Sequence, residues 1–248
     1  MEPAKREVIG AYALKLLDAV SPSGGVSSRL RPMGASGHAA NDHASAHAHA
    51  HTTEHGHCPG LLLLICGPSG VGKTTIVHEL IRRFGGLFSI SATTRQRSPQ
   101  ERDGVDYFFV DERTFQEWIT EDRFLEHAQV FGRAWYGTPE APVRAELAKG
   151  HLVVLDIDVQ GADNVRKRIP DALAIFVLPP NEQELLKRLR VRGREDEAAI
   201  ERRFAESKLE IARAMEGHTF DAFVVNDTLP RATDEVSAIV AARLAKRG

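Results

Sequence analysis

The chain has 248 residues, 42% hydrophobic and 27% charged, enough for one substantial core or for one core with small inserts. Its 32 basic residues stand against 34 acidic ones, which excludes an overall electrostatic pull toward nucleic acid or an anionic membrane, so any anion site has to be local. No apolar run approaches the roughly 20 residues that a membrane-spanning helix needs.

Two cysteines, Cys58 and Cys66, are too few for a disulfide framework and fit a reducing compartment; Cys66, inside an apolar run, reads as a buried core residue. Acidic Glu2 and Glu7 open the chain with no long apolar stretch ahead of a cleavage site, so no secretory signal is expected and the predicted location is cytoplasmic. Residues 7 to 20, EVIGAYALKLLDAV, have the spacing of one short amphipathic helix, and SPSGGVSSRLRPMGASG after them is linker-like. HAANDHASAHAHAHTTEHGH then holds seven of the eleven histidines. Such a stretch buries too little apolar surface to offset its ordering entropy, so residues 1 to 58 are expected to be a disordered extension. Loose binding of zinc, nickel or copper is the alternative reading, and no metal site is assigned there.

From residue 59 to 248, apolar runs alternate with helical patterns, which predicts an α/β protein with a mainly parallel sheet flanked by helices. LLLLICG, HLVVLDIDVQG, ALAIFVLPP and FVVND read as buried strands. TTIVHELIRRF, NEQELLKRLR, EAAIERRFAESKLEIARAME and TDEVSAIVAARLAKR read as helices. Between about residues 91 and 150 the rhythm breaks into YFFV, TFQEWITED and FLEHAQVF, a mixed α/β insert.

GPSGVGKT, Gly67 to Thr74, matches G-x-x-x-x-G-K-[ST] between a strand and a helix, the setting this motif requires. In the run Gly67, Pro68, Ser69, Gly70, Val71 and Gly72 the glycines let the backbone curl so that N–H groups turn inward onto phosphate oxygens, and the helix N-terminus adds partial positive charge. Lys73 reaches the outer phosphates, the Thr74 hydroxyl suits Mg²⁺, and Thr75 follows on the same turn. Such a site for ATP is shared by hydrolases, motors and kinases.

A second anion site is implied by SATTRQRSPQERDGVDYFF, which packs arginines and a tyrosine into a loop-like run. In LVVLDID, the strand period of two puts Asp156 and Asp158 on one face at the sheet's C-terminal edge, where α/β ligands sit; a pair of carboxylates capping the next turn is the plainer reading. The ordered motifs SATTR, DGVDYFFV, FLEHAQVFG, YGT, LDIDVQG, RGR and VND make Gly60 to Asp227 resemble the guanylate kinases, P-loop enzymes that move a phosphoryl group from ATP to GMP.

The resemblance implies a P-loop kinase core with a GMP-binding insert and a helical lid at about residues 187 to 206. It assigns Arg95, Tyr107 and Tyr136 to the GMP phosphate, and Glu126, with Asp158, Ser91 and Thr138, to the guanine. It gives Asp156, with Thr74, to the hydrated Mg²⁺, Arg192 and Arg203 to the ATP phosphates, with Arg188 as a candidate third, and Asn226 to the adenine edge. A carboxylate accepts from both guanine N1–H and the exocyclic amine, whereas adenine presents a lone pair there. Two departures stand out. Ser98 occupies the position of a second phosphate-binding arginine, for which Arg97 is the favoured replacement and Arg102 the other. One extra residue in GRAWYGT predicts a bulge or longer turn before Tyr136.

The expected substrates are ATP with GMP and dGMP, with no nucleic-acid or membrane partner. Alternatives are a kinase of the same fold for another phosphorylated acceptor, or a non-catalytic binding module, against which the intact Gly72-Lys73-Thr74 run argues.

Overall fold

The computed structural model describes residues 60–130, 133–191 and 196–247. Residues 1–59, with the predicted helix and the histidine-rich run, lie outside the described residues, as does Arg192.

β1 (Leu61–Cys66) is buried along its whole length, as expected of a strand covered on both faces. It pairs in parallel with β7 (Leu152–Asp156) on one side and β8 (Leu173–Leu178) on the other; β2 (Leu87–Phe88) and β9 (Ala222–Val225) complete the parallel order β2-β7-β1-β8-β9. The strand period divides β1 between two cores. Leu62, Leu64 and Cys66 pack with α3 (Glu140–Ala148), α4 (Val159–Arg168) and α6 (Glu197–Glu216) through Val143, Leu147, Ala162, Val165 and Ile211. Leu61, Leu63 and Ile65 face α1 (Lys73–Phe84) and α7 (Leu229–Leu244) through Ile76, Leu80, Val236 and Val240. α7 begins four residues ahead of the predicted TDEVSAIVAARLAKR because Thr228 and Pro230 open it, proline's missing N–H costing nothing in the first turn.

A second sheet, β4-β3-β6-β5, is built from β3 (Ala92–Thr93), β4 (Phe108–Phe109), β5 (Phe124–Val130) and β6 (Ala134–Pro139). With α2 (Glu112–Thr120) it encloses its own small core of Ala92, Phe115 and Phe124, flanked by Trp118 and Trp135. This unit ends at Pro139, short of the predicted residue 150, since Val143 and Leu147 on α3 belong to the main core. Of the bulge or longer turn expected before Tyr136, the strands carry no bulge there, and residues 131 and 132 of the turn lie outside the described residues. Pairing is regular from Val130↔Ala134 through Ala128↔Tyr136 to Glu126↔Thr138, and the register shifts between Phe124 and Glu126, beside the candidate base carboxylate. α5 (Glu182–Val191) and the start of α6 share a third cluster, Leu185, Leu189 and Ile200 with Phe204. No helix among the described residues is long and apolar enough to cross a membrane.

Candidate active site

The loop after β1 turns through Gly67, Gly70 and Gly72, with φ of 143°, 84° and 102°, values in the left-handed region that glycine alone adopts without strain. Two of these positions are also closed to a side chain. A Cβ on Gly67 would lie 2.4 Å from the Val177 carbonyl, and one on Gly72 would lie 2.6 Å from Asn226 Nδ2. α1 then starts at Lys73, so its free N–H groups open into the loop. Lys73 Nζ donates to the carbonyls of Gly67 and Pro68 and stands 3.9 Å from Asp156 Oδ1 at the end of β7. Thr74 and Thr75 are exposed on the first turn.

Other elements brace this loop. Asn226, only 3% exposed, donates from Nδ2 to the Val71 carbonyl at 2.7 Å, while its Oδ1 has no partner. Asn226 thus props the phosphate loop from behind. Arg188 on α5 donates to the Asn226 carbonyl at 3.1 Å and to the Val71 carbonyl at 3.4 Å, oriented by Glu184 at 2.9 Å. Arg203 on α6 donates to Ser69 Oγ, which puts one of the predicted lid arginines on the loop itself.

The acceptor residues gather on the second sheet. Arg95 Nε donates to the Tyr136 hydroxyl at 3.2 Å, and its guanidinium lies 5.5 Å from the Tyr107 ring centroid; the two tyrosine rings meet edge to face at 6.0 Å. Burial pushes the Tyr107 phenol up, with Tyr136, Glu101 and Asp156 adding to the effect and Arg95 opposing it. Arg97 does not join this group: it is exposed and donates to the Glu101 carbonyl at 2.8 Å. Arg102 is exposed as well. Arg95 is instead paired with Glu101, a partner the sequence motifs did not single out.

Fully buried Thr138 donates from Oγ1 to Glu126 Oε1 at 2.6 Å. Burial raises the Glu126 carboxyl, Thr138 draws it back, and Asp158 raises it further. Asp158 is not a strand residue. β7 ends at Asp156, and Asp158 is the N-cap of α4, accepting from the Gly161 N–H at 2.7 Å, so the period-of-two reading gives way to the plainer cap. The cap still brings its carboxylate to the face of Gly161 that Glu126 also approaches. Ser91, half-buried just before β3, accepts from the Phe108 N–H through its carbonyl.

Glu210 on α6 escaped the sequence reading. Its carboxyl is pushed up to about 7 by burial, with Lys73 opposing and Asp158 and Asp156 adding to the rise. The available signal was spacing: Glu210 follows Arg203 by seven residues, two helical turns along one face. Cys66 is a buried thiol whose ionisation burial pushes up further, as the core reading predicts.

Similarity to known proteins follows the same residues. The family model described as guanylate kinase matches residues 60–243. The guanylate kinase of Gloeobacter violaceus is 47% identical over 186 residues, 75% of this chain and 89% of the relative; one from Thermus thermophilus is 44% identical over 189 residues, 76% and 84%. Among solved structures, guanylate kinase from Anaplasma phagocytophilum superposes with a TM-score of 0.59 at 29% identity, covering 75% of this chain and 86% of that one.

Proposed function

The chain belongs to the guanylate kinase family, and from that premise we propose that its phosphate loop is the ATP cradle and its Arg95 cluster the clamp for the phosphate of GMP. The enzyme is a nucleoside monophosphate kinase that phosphorylates GMP at the expense of ATP. The observation that carries the residue assignment is the convergence of Glu126, Thr138 and Asp158 beside the Arg95, Tyr107 and Tyr136 cluster. A monophosphate held by Arg95 and the two phenols has its base within reach of an acceptor-only carboxylate, which suits guanine and leaves adenine unmatched. The residues assigned here address the base and the phosphate, so dGMP is expected to serve as a second acceptor.

Chemistry follows from alignment. The GMP phosphate, with a second pKa of about 6, is largely dianionic near neutral pH and needs no general base. One of its oxygens attacks the γ-phosphorus of ATP, the bond to the β,γ-bridging oxygen breaks, and ADP leaves with that electron pair. Lys73, the loop N–H groups from Ser69 to Thr74, and Arg203 neutralise the charge that gathers on the transferred group; Arg192 is assigned with Arg203 by resemblance. Asn226 acts through Val71, holding the loop's curl. A hydroxyl at Thr74 and a carboxylate at Asp156, 3.9 Å from Lys73, are hard oxygen donors of the kind Mg²⁺ prefers and would hold the ion. When bound, Mg²⁺ would supply neutralisation of the nucleotide's phosphate charge.

In this reading α5 and the first turns of α6 are the lid, Ala92 to Pro139 the acceptor unit, and residues 1 to 58 an extension outside the catalytic work. A cytoplasmic location is supported by the two cysteines, which form no disulfide framework. A coupled assay for ADP release with GMP, dGMP, AMP and a sugar phosphate as acceptors tests the assignment. Turnover with GMP and dGMP and little with the others is expected; equal turnover of AMP would remove Glu126 from base recognition.

A further inference from the structure

A guanidinium offers two bidentate edges, one through Nη1 and Nη2 and one through Nε and Nη2. In Arg95 the first edge is spent on Glu101. Nη1 donates to Oε2 at 3.0 Å and Nη2 to Oε1 at 2.7 Å, while the second Nη1 proton goes to the Gln96 carbonyl at 2.8 Å. The second edge points the other way, with Nε on the Tyr136 hydroxyl. Glu101 is itself held, because Oε2 also accepts from the Ser98 N–H at 2.8 Å and the Glu101 N–H returns to the Ser98 carbonyl. Arg97 adds a third tie, to the Glu101 carbonyl. Arg95 and the Ser98 N–H hold the Glu101 carboxyl at about 2, so it is ionised near neutral pH.

We propose that Glu101 is a positioning residue of the acceptor-phosphate clamp: by filling the outer edge of Arg95 it aims the other edge toward Tyr136 and Tyr107, so that one oriented arginine serves where Ser98 leaves the second arginine missing. The inference rests on reading Arg95, Tyr107 and Tyr136 as that clamp. Left alone, the side chain of Arg95 would have to be ordered by the substrate, at a cost in affinity, and either edge could meet the phosphate.

The sign of one substitution separates orientation from charge. Glu101→Gln removes a negative charge next to a phosphate site, so electrostatics alone predicts tighter GMP binding. Positioning predicts the opposite. In steady-state kinetics on the full chain, Glu101→Gln is expected to raise KM for GMP about tenfold, with KM for ATP and kcat within about threefold. Glu101→Asp keeps the charge but withdraws the carboxylate by one methylene, and is expected to raise the same KM; it serves as the second variant if Gln perturbs folding. In an Arg95→Lys background, Glu101→Gln is expected to add less than about twofold, since the residue acts through the guanidinium. An unchanged or lowered KM for GMP in both Glu101 variants overturns the proposal while leaving the clamp intact. An Arg95→Lys enzyme with unaltered KM for GMP overturns the clamp and the proposal together.

Discussion

Asp158 Oδ1 and Glu126 Oε2 approach the same face of Gly161, where a methyl group would lie 3.2 and 3.3 Å from them. Two carboxylates are thus brought within reach of a single ligand edge, one from the insert's sheet and one from the cap of a core helix. Burial first, and then the nearby Asp158, make the charged Glu126 carboxylate costly, so its carboxyl is raised. A ligand with two adjacent N–H donors relieves that cost.

Glu126→Gln tests the point. The amide keeps the shape but carries a donor on one side, so it serves guanine less well and adenine better. The ratio of kcat/KM for GMP over AMP is expected to fall by about 100-fold, most of it in the acceptor KM, because a site built to pair buried polar groups discriminates by leaving them unpaired. Competing acceptors in one assay give the ratio directly; an unchanged ratio would move base recognition elsewhere.

Lys73→Ala removes a cation that stands between the loop carbonyls and Asp156. The expected loss in kcat is at least about 100- to 1,000-fold, the scale of removing one preorganised charge from a transition state. Circular dichroism should remain that of the parent protein, since Lys73 contributes nothing to either main core.

Much of this was legible in the residues and some was not, for physical reasons. β1 and β8 are apolar at every position, which only a strand sandwiched between helix layers tolerates, so the parallel core could be read directly. The phosphate loop was equally open, since three left-handed glycines followed by Lys-Thr at a helix start have a single geometric use. Asp158 was misplaced on a strand because period-two counting does not see where a strand stops; the Asp158 cap on Gly161 did the stopping. Glu101 and the propping role of Asn226 depend on contacts 6 and 155 residues apart, between Arg95 and Glu101 and between Val71 and Asn226, and Glu210 on the burial its helix acquires. The last two are set by how helices and strands dock, which local patterning does not encode.

Asn226→Ala follows from the same long-range contact. It leaves the Val71 carbonyl with only the long 3.4 Å bond from Arg188 and opens space behind Gly72. Loss of one buried hydrogen bond costs about 1–3 kcal/mol, which in a domain of this size lowers Tm by roughly 3–10 °C. KM for ATP should rise while KM for GMP stays near its parent value, because the prop touches the donor loop alone. Gly72→Ala should do worse, as its methyl would meet Asn226 Nδ2 at 2.6 Å with φ at 102°. Differential scanning fluorimetry with and without ATP reads both effects.

Glu210 yields a prediction in pH. Its carboxyl has an ordinary value of 4.5 and is pushed up to about 7 in the folded protein, by burial first, with Lys73 opposing and Asp158 and Asp156 adding. Below about pH 4.5 the group is protonated in both folded and unfolded chains and contributes no difference. Between about 4.5 and 7 the unfolded chain releases the proton while the folded protein keeps it, so stability falls as pH rises, by a total on the order of 3 kcal/mol, and then levels off. Glu210→Gln carries no such proton. The variant should match the parent near pH 4.5 and exceed it at pH 8 by about 2–3 kcal/mol in urea denaturation, with a flatter profile between. A parent and variant whose curves stay parallel from pH 4.5 to 8 would mean that the Glu210 carboxylate is already charged in the folded state, held by Lys73 strongly enough to cancel its burial.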